Sequence, residues 1–122
     1  MSAKDLACLP ESLQAIARVS SNGEASWPLA EATAVINALA QADRIVLGLD
    51  IREYDDDERF IEYAWSAVKS FDGTDDVDQG RNEALAALHR AVTDEFVKPE
   101  SWVLVAWATH ERLAELSAIS KE

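Results

Sequence analysis

The chain has 122 residues, 48% of them hydrophobic, which suits one domain with a modest core and excludes wholesale disorder. Eleven Lys and Arg against 23 Asp and Glu give a net charge of −12, which excludes a nucleic-acid or anionic-membrane surface and favours basic partners. The most apolar run, Trp102 to Ala108, is too short for a bilayer, M-S-A-K-D-L-A-C-L-P lacks an apolar signal core, and Cys8 is alone, so a cytoplasmic protein is expected.

Leu6, Leu9, Leu13, Ile16 and Ala17 recur at helical spacing, and Asn22-Gly23 ends that run. Ser26-Trp27-Pro28 reads as the start of a second helix, with proline early, where its missing N–H costs nothing. Leu29, Ala32, Ile36, Leu39 and Ala40 form its expected buried stripe, bordered by Val35, and it ends near Gln41-Ala42-Asp43. The period then changes to two in R-I-V-L-G-L-D-I-R. Ile45, Leu47, Leu49 and Ile51 point one way, while Val46, Gly48, Asp50 and Arg52 point the other, as in a half-buried strand. Gly48 inside a strand predicts a bulge or a close approach.

Residues 59–68 fit two readings. As a helix they carry the stripe Phe60, Ile61, Ala64, Trp65 and Val68 behind the acids Asp55 to Glu58; as a strand, Ile61, Tyr63, Trp65 and Ala67 alternate with Glu62, Ala64 and Ser66. From about Asp76 to Glu95 the pattern is helical, with Asp76 and Gln79 at capping-box spacing and Leu85, Leu88, Val92 and Phe96 on one face. S-W-V-L-V-A-W-A reads as an internal strand apolar on both faces, and Leu113, Leu116 and Ile119 mark a short amphipathic helix at the end. No repeat, low-complexity tract or linker divides the chain.

The acids are clustered. Asp50, Glu53, Asp55, Asp56, Asp57, Glu58 and Glu62 against Arg52 and Arg59 give residues 50–62 a net −5, and Asp72, Asp75, Asp76, Asp78 and Glu83 against Arg81 give 72–83 a net −4. Solubility alone would account for such a surface; electrostatic attraction of a basic partner would account for it as well. A calcium loop starting at Asp72 would place Thr74, Asp76 and Glu83 at ligand positions, but its sixth position, which needs glycine, is Val77, so no metal is expected. His89 and His110 lack partners at ligand spacing, and nothing places a general base beside Cys8. With no nucleophile elbow, phosphate loop or C-x-x-C, an enzyme and a cofactor are not expected. Of the four tryptophans, Trp27 reads as a helix-start anchor and Trp102 and Trp107 as strand residues, leaving Trp65 beside the acids as the candidate for a partner contact.

In order along the chain stand a helix beginning at W-P-L, a strand ending V-L-G-L-D-I, an acidic turn, a strand reaching Trp65, a helix, and the strand W-V-L-V. This arrangement, over about residues 27–108, resembles the immunity protein 40 family of bacterial polymorphic toxin systems; Leu49 stands where that family carries a second glycine, and Ala64-Trp65-Ser66 replaces its Asn-Trp-Tyr-like segment. The resemblance implies a hairpin, with Tyr54 to Glu58 as the turn and Arg59 to Ala67 as the second strand. It also implies a cytoplasmic antitoxin, as in contact-dependent growth inhibition, that binds and neutralises a cognate toxin domain. Toxins that attack nucleic acid carry basic surfaces that an acidic inhibitor can cover, which agrees with the charge. The expected contact residues are Asp50, Glu53, Asp55, Asp56, Asp57, Glu58, Trp65, Asp72, Asp75, Asp76 and Asp78. The expected fold is a single α+β domain over residues 1–122: two N-terminal helices, a β-hairpin, a helix, a third strand completing a mostly antiparallel sheet, and a short C-terminal helix. The other reading is a small acidic regulatory or adaptor domain with a non-toxin partner.

Overall fold

The computed structural model describes residues 6–19, 23–54, 60–67, 77–93, 100–112 and 114–115. Its elements are α1 (Glu11–Ile16), β1 (Arg18–Val19), β2 (Ala25–Pro28), α2 (Ala32–Gln41), β3 (Ile45–Tyr54), β4 (Phe60–Ala67), α3 (Val77–Val92) and β5 (Trp102–Ala108). The architecture is mixed α+β. The strands form one antiparallel sheet in the order β1-β2-β5-β3-β4, so among the described residues the sheet has five strands rather than the three expected. As the apolar pattern of W-V-L-V-A-W-A requires, β5 is internal, between β2 and β3.

The two additional strands come from the end of the first helical run, expected to last until Asn22-Gly23, and from the start expected for the second helix. Proline can begin a helix, but it can equally close a strand, because its backbone suits both settings. Here Pro28 is extended (φ −54°, ψ 143°) and opposes Trp102, and Ala25 and Trp27 bury their side chains against the helices. A 3₁₀ turn, Leu29–Glu31, intervenes before α2. Trp27 is therefore a strand residue, fully buried, and its Nε1 donates to the Leu13 carbonyl at 2.8 Å, tying α1 to the sheet. Nor is the first apolar run one helix. Pro10 (ψ 147°) separates a 3₁₀ turn at residues 6–8 from α1, and Leu9 and Leu13 carry its burial while Ile16 is exposed.

Ala32, Val35, Ile36 and Leu39 are buried on α2, so Val35 lies at the centre of the stripe rather than its border. The helix ends as expected: Asp43 N–H donates to the Ala40 carbonyl and Arg44 N–H to that of Leu39, the paired bonds of a Schellman motif. Asp43 takes the left-handed position (φ 62°) that glycine usually fills.

On β3 the expected bulge is present. Pairing with β5 shifts between Val46 and Gly48, and pairing with β4 shifts between Ile51 and Arg52. The first bulge breaks the simple alternation, so Val46 joins Leu49 and Ile51 in the helix-side core while Leu47 is half-buried. Residues 60–67 form a strand antiparallel to β3, which overturns the helical reading of 59–68; Tyr54 opposes Phe60, and residues 55–59 lie outside the described residues.

In α3 the buried face is Gly80, Ala84, Ala87 and Leu88, whereas Leu85 is half-buried and Val92 is exposed. Close packing accounts for the difference. A Cβ at Gly80 would lie 3.2 Å from the Val46 carbonyl oxygen, so small residues face β3 where the large apolar ones were expected to. Phe96 and Asp76 lie outside the described residues. After β5, Thr109 Oγ1 accepts from Arg112 N–H at 3.1 Å, an N-cap for the helical residues 110–112 and 114–115; Leu113, Leu116 and Ile119 are not among the described residues.

Candidate functional site

The helices cover one face of the sheet, where Trp27, Val103, Val105, Val46, Leu49 and Ile51 meet α1, α2 and α3. Trp107 packs on the same cluster, its ring centroid 6.0 Å from that of Trp27. The second face is built differently. Opposed residues of antiparallel strands share a face, so the register aligns Arg18, Ser26, Leu104 and Asp50 in one row across β1, β2, β5 and β3. The next row holds Pro28, Trp102 and Arg52.

Arg52 centres this face. Only 5% exposed, it donates from Nη2 to Asp50 Oδ2 at 3.0 Å and from Nη1 to Glu24 Oε1 at 3.4 Å. Asp50 is itself 7% exposed, and Glu24 stands at the margin with 39% of its side chain exposed. Two residues apart on a strand point the same way, so the pairing of Asp50 with Arg52 follows from their spacing once the strand is in place. Nearby, the Arg18 guanidinium lies 5.7 Å from the ring centroid of half-buried Trp102, a cation–π contact.

Asp50 was expected to meet a partner; it is instead an internal counter-ion of Arg52, because a carboxylate in mid-sheet is desolvated and takes the neighbouring guanidinium. This pair removes one charge of each sign from the surface, so the −12 is carried by the remaining residues. Glu53 is half-buried at the end of β3. Asp78 lies in the first turn of α3, 76% exposed at its side chain and 3.5 Å from Arg81. Trp65 is the register partner of Asp50. Asp55, Asp56, Asp57, Glu58, Asp72, Asp75 and Asp76 lie outside the described residues.

Val77 and Glu83, two positions of the weighed calcium loop, are helical residues of α3. His89 is exposed on α3, and His110 Nε2 lies 3.0 Å from Asp43 Oδ1, joining the helical segment after β5 to the turn that ends α2. Cys8 is half-buried in the first 3₁₀ turn. Among the described residues, no group of three or more His, Cys, Asp or Glu could hold a metal ion, and no helix is long and apolar enough to cross a membrane.

Sequence reasoning missed an open groove of about 300 Å³ beside β5, lined by the β5 run from Leu104 to Ala108 together with Glu24, Ala25, Thr109 and Arg112. The β2–β5 pairing ends at Ser26 opposite Leu104, while β3 stays paired with β5 as far as Ala108, and the groove lies where β2 has stopped. No sequence signal marks such a mismatch of strand lengths, since strand pairing is a long-range property. Compared with models of protein families, with curated proteins and with solved structures, the chain has no match.

Proposed function

We propose that this chain is a cytoplasmic immunity protein that binds and neutralises a basic toxin domain by covering it, with no chemistry or cofactor of its own. The net charge of −12 carries this reading: the internal ion pair takes Asp50 out of the acidic cluster of residues 50–62 together with Arg52, which leaves the net charge of the cluster unchanged. An acidic protein speeds capture of a basic partner and disfavours other acidic proteins. The order of motifs shared with the immunity protein 40 family, together with antiparallel pairing of β3 and β4 on either side of the acidic run 55–58, agrees with it.

The test reverses Asp55, Asp56 and Asp57 to lysine together and measures binding to the product of the gene adjacent to this one, at two salt concentrations. The variant is expected to bind at least about tenfold more weakly, about 1.4 kcal/mol, through a slower on-rate. The wild-type on-rate should fall steeply with salt. A circular dichroism spectrum like the wild type's ensures that folding is intact. Equal on-rates for variant and wild type at both salt concentrations would leave the acidic run without a role in binding.

A further inference from the structure

We propose that His110 and Asp43 form a pH-sensitive fastening, which holds the helical segment after β5 to the end of α2 more firmly when the imidazole is charged. Two observations carry it. The first is geometric: His110 Nε2 meets Asp43 Oδ1 at 3.0 Å, across 67 positions of sequence. Among the described residues after Thr109, Glu111, Arg112, Ala114 and Glu115 are exposed, and His110 alone is half-buried. Within those residues, the joint to the rest of the molecule is at His110. The second observation is the residue that occupies the turn. Asp43 stands at φ 62°, in the left-handed position after α2 where glycine is free of strain. Glycine there would ease the backbone but would remove the carboxylate that His110 meets. An acid in a position that suits glycine marks the carboxylate as the useful part.

Histidine changes charge near neutral pH, at about 6.5 when unperturbed. A neutral imidazole can donate one hydrogen bond from Nε2 to Asp43, and a charged one adds Coulomb attraction to the same contact. The other charges on the elements that meet here leave that attraction standing. α2 itself carries no charged side chain. Arg44, which donates to the Ala42 carbonyl at 2.8 Å, is offset by Glu111 beside His110. Arg112 is matched by Glu115 at 2.9 Å. On α3, which reaches β3 where Gly80 packs on Val46, Arg81 is matched by Asp78 at 3.5 Å. The helical turn capped by Thr109 opposes a cation at His110, but only weakly in so short a segment. The Coulomb part of the fastening is therefore fully present below the midpoint of an unfolded histidine, and it is lost as pH rises through the higher midpoint of the folded chain. Asp43 keeps 73% of its side chain exposed, so the shift is a fraction of a pH unit rather than several.

The experiment follows the ring protons of His110 and His89 by nuclear magnetic resonance from about pH 5 to about pH 9, in the full wild-type chain and in Asp43→Asn. Asn accepts the same hydrogen bond and suits the left-handed turn, so the variant folds and loses only the charge. His110 is expected to titrate at least about 0.3 unit lower in the variant, a roughly twofold loss of proton affinity at the small end for exposed pairs. His89, exposed on α3, should stay in place. In the wild type, Cα shifts of the segment after Thr109 should report more helix at about pH 5.5 than at about pH 8, and His110→Gln should remove that difference. Three results would each overturn the inference: an unchanged His110 midpoint in Asp43→Asn, a His89 midpoint that moves as far, or a helicity of the segment that does not change with pH. Neither Asp43 nor His110 lies in the acidic runs, so this outcome is independent of whether the adjacent gene's product binds.

Discussion

The two faces of the sheet are made by alternate residues of the same strands, yet they are held by different forces. Toward the helices, Trp27, Val46, Leu49, Ile51, Val103 and Val105 bury apolar area, which contributes about 25 cal/mol per Å² without demanding a particular geometry. On the second face Ser26, Asp50, Arg52 and Leu104 are just as inaccessible, but two of the four are charged. Such a pair gains little over an apolar replacement of the same shape, and it is very costly to break. One face therefore tolerates substitution by size, whereas on the other each charged residue can change only together with its partner.

Removing a single charge separates them most sharply. Arg52→Met leaves Asp50 buried beside an apolar side chain and should cost about 3–5 kcal/mol, read as a lower denaturant midpoint with an unchanged slope. Asp50→Leu added to it should recover most of that loss, since the buried carboxylate is then gone as well. If the single variant lost under about 1 kcal/mol, the second face would behave as solvent-exposed surface, and the contrast would be one of composition only.

A smaller effect is expected on the helix side. Trp27→Phe keeps an aromatic ring but removes the donor to the Leu13 carbonyl, leaving a buried acceptor and a small void, for about 2 kcal/mol in thermal or chemical unfolding. Hydrogen exchange in α1 should accelerate more than elsewhere, because that bond is what joins α1 to β2. Uniform acceleration would mean that Trp27 acts through volume alone.

The smallest change belongs to the rim. Glu24→Gln weakens the outer arm of the Arg52 pairing where solvent already screens it, so stability should fall by less than about 1 kcal/mol and less still at high salt. A loss comparable to that of Arg52→Met would place Glu24 with the buried pair.

Much of this was legible in local pattern. Val103, Leu104 and Val105 in one uninterrupted apolar run identify an internal strand, Gly48 marks a bulge, and the stripe through Ile36 and Leu39 makes α2 a helix, because each follows from short-range periodicity and backbone freedom. Charge was also readable, since −12 is a property of composition alone. Long-range packing decided the rest. Pro28 suits a helix start and a strand end equally, and only Val103 and Trp102 lying opposite Trp27 and Pro28 select the strand. The buried side of α3 was set by how closely Gly80 approaches the Val46 carbonyl, which no count of large apolar residues anticipates. Asp50 looked like one acid among many until β4 and β5 closed on either side of β3 and left Arg52 as its neighbour. Periodicity and composition act within a few residues and survive in any context, so the sequence alone determined α2, the internal strand β5, the bulge at Gly48 and the sign of the net charge. Strand partners, burial of a given charge and the groove beside β5 depend on segments far apart in the chain, as Ser26 and Leu104 are, and only the folded chain brings those together.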